Sequence, residues 1–255
     1  TMSYHQLLNQ LEELGLKNMR ETLPDYLDTI IKENLNFVDA FSELTTKELS
    51  FRKEERDKLR LQRSNLPFQK KVNDFDFNFQ PQINKNEILD LCSLRFMDTA
   101  DNILFIGNSG VGKTHLAISI ALEAMEKEKS CYFALSNELV ERLSKAHKRG
   151  TLESILKKYI GYDILIIDEV GYLPFSQDGA NLLFQLINRR YEKKSTIITT
   201  NIPLSQWATV FKDKKLTNAL IDRLIHHSKI IQINGKSYRM KDYKENKQAA
   251  LTTSK

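Results

Sequence analysis

The chain has 255 residues, 41% of them hydrophobic and 28% charged, with a net charge of +5 at pH 7. That is room for one full α/β domain and a small accessory domain, and it excludes a disordered polymer. No apolar run approaches the ~18 residues of a membrane span, and the first residues lack a signal peptide's basic-then-apolar pattern, so a cytoplasmic protein with no membrane contact is expected.

Tyr4, Leu7, Leu8, Leu11 and Leu14 fall at helical spacing, Ser3 and Gln6 have the form of a capping box, and Gly15 can end that helix. Thr22 is expected to cap a second helix, with Pro24 in its first turn and Leu27, Ile30 and Ile31 on its apolar side. A third helix, over 37–64, begins apolar and turns densely charged, so its second half is expected to project or to lie against a partner. Pro67 breaks that pattern, and the alternating Phe75, Phe77 and Phe79 predict an extended segment before Pro81. These features divide the chain into an all-helical N-terminal domain over 1–66 for DNA or partner binding, a second domain over 67–242 and a basic tail over 243–255.

From 67 onward strands and helices alternate, the mark of a parallel sheet covered on both faces. Strands are expected at 103–106, 131–135, 164–168, 196–200 and 230–233, with helices at 114–127 and 181–191 among those between them. Cys92 and Cys131 sit far apart in apolar surroundings, which fits reduced, buried thiols.

Chemistry enters at Gly107, Asn108, Ser109, Gly110, Val111, Gly112, Lys113 and Thr114, which fit G-x-x-x-x-G-K-[ST] at every fixed position. Glycines let successive N–H groups curl around phosphates, and the following helix directs its positive end at them. Lys113 is then placed to neutralise the β- and γ-phosphates of ATP, and the Thr114 hydroxyl to ligate Mg2+. The apolar run 164–167 delivers Asp168 and Glu169 at a strand's C-terminal end, where ligands bind in open α/β sheets. Asp168 is expected to hold Mg2+ and Glu169 to deprotonate the attacking water. Because Cys131–Leu135 lies between the two motifs in sequence, a strand is expected between the P-loop strand and the Asp-Glu strand. Asp168 to Gly171 also match the GTPase D-x-x-G pattern, but no N-K-x-D motif follows. Asn201, at the tip of a Thr-rich strand, can reach a γ-phosphate or the lytic water, or simply open a turn before Pro203. Arg223 is either a surface arginine or a finger for a neighbouring subunit's site.

Over nearly the whole chain the sequence resembles the IstB-like transposition helper ATPases of insertion sequences, relatives of the DnaC/DnaI helicase loaders. The resemblance rests on Leu66 to Phe68 with Phe75 to Phe77, and on Asn102 to Gly107 entering a P-loop that continues through His115. It extends through Leu165 to Leu173, Leu183 to Tyr191, Asp222 to Ser228 and Gly235 to Arg239. It implies an α/β fold of the AAA+ P-loop kind: a three-layer sandwich around a five-stranded parallel sheet, with no C-terminal lid and a small all-helical N-terminal domain. It also implies Arg223 as arginine finger, Arg239 as a second sensor, assembly as a homo-oligomer on double-stranded DNA, and cooperation with a transposase. A replicative helicase loader is the alternative, and a small-molecule kinase is disfavoured by Glu169.

Basic residues outnumber acidic ones by 11 to 4 over 212–255 and by 8 to 3 over 52–71. A third basic cluster, Lys145, His147, Lys148 and Arg149 with Lys157 and Lys158, lies at the junction of two helices expected within 136–162. Lys145, Lys148 and Arg149 are candidate contacts to DNA phosphates; a solvated helical hairpin is the plainer reading.

Overall fold

The computed structural model describes residues 3–240. It divides into two compact units, Thr1–Leu59 and Arg60–Lys255. The expectations for the basic tail and for a missing lid lie outside the described residues.

The first unit contains α1 (Tyr4–Glu13), α2 (Lys17–Glu33) and most of α3 (Phe37–Arg63). Ser3 donates its N–H to Gln6 Oε1 at 2.8 Å at the start of α1, and Gly15 takes φ +68 beyond its end. Leu11, Met19, Leu23, Tyr26, Ala40 and Leu44 form the core. Thr22 does not cap α2. The helix begins five residues earlier, Thr22 donates its hydroxyl to the Asn18 carbonyl inside it, and Pro24 is internal. The reason is long-range: the buried Glu48 carboxylate, on α3, accepts the Met19 N–H at 2.9 Å and so satisfies the first turn of α2. Arg52 pairs with Glu48 and also donates to the Gly15 carbonyl.

In the second unit, five parallel strands run β2-β3-β4-β1-β5: β1 (Asn102–Gly107), β2 (Cys131–Leu135), β3 (Ile164–Val170), β4 (Ser195–Thr200) and β5 (Ser228–Ile233). All five expected strands are present. The strand separating β1 from β3 is β4, however, and not Cys131–Leu135, which lies outside β3. Sequence separation reports how much chain intervenes; the crossover, which it does not encode, decides who lies beside whom.

Side chains alternate across the sheet, as a two-residue period requires. Ile103, Phe105, Ile164, Ile166 and Ile231 pack on one face with α4 (Lys85–Cys92) and α5 (Lys113–Glu126). Leu104, Leu165, Ile167 and Ile198 pack on the other with residues of α6 (Ser136–Lys148), α7 (Leu152–Gly161), α8 (Gln177–Arg190), α9 (Trp207–Phe211) and α10 (Lys214–His226). The result is a three-layer sandwich. The free edge of β2 is covered: Phe133 donates its N–H to Ser64 O at 2.8 Å, and Asn65 Nδ2 donates to Phe133 O at 2.9 Å.

Residues 75–79 are not one extended run. Phe75 is extended, but 77–79 form a turn, because the Asp76 carboxylate accepts the N–H groups of Asn78 and Phe79 and bends the chain locally. Arg190, fully buried, donates to the carbonyls of Tyr159, Tyr162 and Ser195 and ties α7, α8 and β4 together; burial pulls its guanidinium down to about 10.

Candidate nucleotide site

Strand β1 ends at Gly107 and α5 begins at Lys113, so the glycine-rich loop fills the gap between a strand tip and a helix N-terminus. Gly110 and Gly112 hold φ of +80 and +102, which only glycine adopts without strain. A Cβ on Gly112 would also lie 2.5 Å from the Phe75 ring. Val111 is buried and anchors the loop to the core.

Lys113 is only 8% exposed, and its Nζ donates to the carbonyls of Gly107 at 2.8 Å and Asn108 at 2.7 Å. Burial pulls its pKa down, against the nearby Asp168 and Glu169 carboxylates, which raise it. The next residue, Thr114, donates its hydroxyl to the Asp168 carboxylate, at 2.9 Å to Oδ1 and 3.1 Å to Oδ2. Burial raises the Asp168 pKa, while hydrogen bonds from Thr199 and Thr114 pull the other way.

Glu169 has φ +59, in the left-handed region, and the β3–β4 register shifts between Ile167 and Val170. A non-glycine residue held there costs about 1–3 kcal/mol, which the surroundings must supply. Two bonds fix it: Glu169 donates its N–H to Thr199 Oγ1 at 3.0 Å and accepts from Ser136 Oγ at 3.1 Å. The bulge turns an inward strand position outward, so Glu169 is exposed next to a 3% exposed Asp168.

Thr199 thus bridges both acidic residues, because the same hydroxyl donates to Asp168 Oδ1. It belongs to no motif, and the sequence alone did not single it out. Its signal is the pair of fully buried hydroxyls, Thr199 and Thr200, at the C-terminal end of a threonine-rich strand.

A cleft of about 600 Å³ gathers Ser109, Gly110, Gly112, Lys113, Thr114, His115, Glu169, Thr199, Asn201 and Arg239. Asn201 sits just beyond β4, and its buried Oδ1 has no hydrogen-bond partner. That orphaned acceptor fits a site built for another polar group, such as a water at a phosphate. Residues 235–239 cross the loop as a strap. Tyr238 donates its N–H to Gly110 O at 2.8 Å and its hydroxyl to Asp76 O at 2.7 Å, and Arg239 Nη1 stands 3.5 Å from Ser109 Oγ. Beneath it, Phe75 contacts the rings of Phe77, His115 and Tyr238. His115 Nε2 lies 3.0 Å from Lys71 O, and burial lowers its pKa.

Arg223 is not part of this cleft. Its Nε donates to Asn188 Oδ1 at 2.6 Å, and its guanidinium covers the Phe184 ring, both on α8. Lys145, Lys148 and Arg149 are exposed at the end of α6, away from the cleft; Lys145 pairs with Glu141 at 2.6 Å.

Residues 9–246 match the family of the IstB-like ATP binding protein. The chain belongs to this family. It is 48% identical over 246 residues, 96% of this chain and 98% of the relative, to the protein described as ATP-binding in insertion sequence IS232 of Bacillus thuringiensis subsp. berliner. Its counterpart in insertion sequence IS21 of Pseudomonas aeruginosa is 35% identical over 93% of this chain and 90% of that one. Among solved structures, the DnaC helicase loader matches with a TM-score of 0.53 and 25% identity, over 59% of this chain and 88% of that one. AMPPCP-bound DnaA from Aquifex aeolicus matches with a TM-score of 0.57 and 18% identity, over 72% of this chain and 56% of that one. The fold of this IstB-like chain is therefore of the AAA+ P-loop kind. Among the described residues no helix is long and apolar enough to cross a membrane.

Proposed function

We propose that this IstB-like protein binds Mg-ATP in the cleft, hydrolyses it within a cytoplasmic homo-oligomer assembled on double-stranded DNA, and assists a transposase. One observation carries the ATPase part: the P-loop lysine, the Thr114–Asp168 pair, the outward-turned Glu169 and the unpartnered Asn201 converge on a single cleft. The transposase part is supported by the names of the relatives, both of them insertion-sequence proteins. The same likeness over nearly whole chains favours this reading over a helicase loader, whose match covers 59% of the chain.

In this reading ATP lays its phosphates along the N–H groups of the P-loop, and Lys113 leaves the Gly107 and Asn108 carbonyls to meet them. Thr114 and Asp168 hold Mg2+, which fits their adjacent oxygens and the buried carboxylate. Bound there, Mg2+ neutralises charge on the phosphate oxygens. Glu169 takes the proton of the attacking water, and Asn201 holds that water or a γ-phosphate oxygen. Arg239 reaches the phosphates from above Ser109. Arg223, held on α8 outside its own cleft, acts on the ATP of a neighbouring copy. The helical segment 1–66 contacts DNA or a partner protein.

DNA is met through its phosphates by Lys145, Lys148 and Arg149. Such contacts give weak sequence dependence and steep salt dependence. A salt titration of duplex affinity, with and without ATP, tests this. The Lys145/Lys148/Arg149→Ala variant should bind more weakly with a shallower slope, by about 0.9 for each phosphate it no longer neutralises. An unchanged slope would move the DNA-binding surface to 52–71 or to the tail.

A further inference from the structure

At the opposite end of the sheet from the P-loop, three chain segments bring imidazoles and carboxylates together. His226 ends α10, His227 follows it, Glu192 lies in the turn between α8 and β4, and Asp101 precedes β1. One ligand atom from each of Glu192, His226 and His227 lies within 4.8 Å of the others. His227 Nε2 stands 3.5 Å from Glu192 Oε1. Two ligands each about 2.0–2.2 Å from a tetrahedral zinc ion stand roughly 3.4 Å apart, so this pair already has the spacing such an ion requires.

The surroundings orient the rings. His226 Nδ1 lies 2.8 Å from the Tyr191 hydroxyl, and His227 Nδ1 faces Asp101 Oδ1 at 3.9 Å. The Tyr191 hydroxyl on Nδ1 orients the His226 ring and leaves its Nε2 open as a ligand, while His227 already presents Nε2 to Glu192. The backbone is fixed as well, because Asn102 donates its N–H to the His227 carbonyl at 2.7 Å. Glu192 is held at φ +57 in its turn.

We propose that Glu192, His226 and His227 bind a transition-metal ion of the zinc class, separate from the Mg2+ of the nucleotide cleft. Two imidazoles with one carboxylate suit Zn2+, Ni2+ or Cu2+ and do not suit Mg2+, which takes oxygen ligands in octahedral geometry. Three protein ligands leave the fourth position to water. The ion would clasp the end of α10 to the turn after α8, the two helices that Arg223 and Asn188 already join.

The test uses untagged full-length protein, dialysed against chelator and kept in excess Mg2+ so that the Thr114 and Asp168 oxygens are masked. Zn2+ is titrated calorimetrically, and Co2+ is followed by visible absorption. Wild type should take up one Zn2+ per chain, rise in Tm with Zn2+, and give a tetrahedral Co2+ spectrum without a thiolate band. His226→Ala and His227→Ala should each bind at least about tenfold more weakly. Glu192→Gln, which keeps the size of the side chain, provides a variant that leaves both rings in place and should also bind more weakly. No uptake by wild type overturns the proposal whatever the variants do. So does uptake undiminished in all three variants, or a thiolate band that assigns the ion to Cys92 or Cys131.

Discussion

Thr199→Val removes one hydroxyl and keeps the shape of the side chain, at a position 1% exposed. That hydroxyl donates to the Asp168 carboxylate and accepts the Glu169 N–H. A hydrogen bond to a charged group is worth about 1.5–3 kcal/mol, and a buried N–H left unpaired costs about 1–3 kcal/mol. Part of this loss falls on folding. The part felt at the site loosens the left-handed turn that aims Glu169 outward. If about 1.4–2.8 kcal/mol is missing from the transition state, kcat falls ~10- to 100-fold. Because the Thr199 bond holds the Asp168 pKa down, its loss lets that buried carboxyl rise further, and more Mg2+ is needed at a given pH. Phosphate release and nucleotide affinity are measured separately. Thr199→Val should turn over slowly while still binding ATP, and Thr199→Ser, which keeps the hydroxyl, should stay within a few-fold of wild type. A folded Thr199→Val protein with wild-type turnover would refute the reasoning.

Arg223→Ala should bind ATP and fail to hydrolyse it. Mixing it with Glu169→Gln should restore turnover, since one mixed interface pairs an intact Glu169 with an intact Arg223; no recovery would place Arg223 outside the reaction. His115 is held neutral by burial, with a pKa below its unfolded value near 6.5. Below that pH the unfolded chain binds more protons than the folded one, so this contribution is complete above about pH 6.5 and is lost as pH falls toward the folded value. Denaturation midpoints between about pH 7.5 and about pH 5.5 should drop less in His115→Gln than in wild type.

The sheet and the P-loop were legible because each has a local signature. An apolar run flanked by helices marks a buried parallel strand, and the glycine-rich loop has a fixed pattern at a strand tip. Features set by distant chain were not. Glu48, 29 residues beyond Met19, starts α2 at Lys17, so Thr22 lost the capping role its residue type suggested. Phe75, Phe77 and Phe79 alternate like a strand, yet the Asp76 carboxylate bends 77–79 into a turn under Tyr238. Thr199 looked like ordinary strand composition, and only the β3–β4 pairing brings its hydroxyl between Asp168 and Glu169. Arg239 was named through the family resemblance alone, and a strap 130 residues beyond Ser109 is what brings it to the loop.

The central claim is that this cleft binds and hydrolyses Mg-ATP, and the most direct measurement is parallel nucleotide binding and turnover in wild type, Lys113→Ala and Glu169→Gln. Wild type should hydrolyse ATP, with a rate per chain that rises with protein concentration as neighbouring copies meet. Lys113→Ala should lose nucleotide binding, and Glu169→Gln should bind ATP with near wild-type affinity and not turn it over. Turnover surviving in Glu169→Gln, or ATP binding surviving unchanged in Lys113→Ala, would contradict the account.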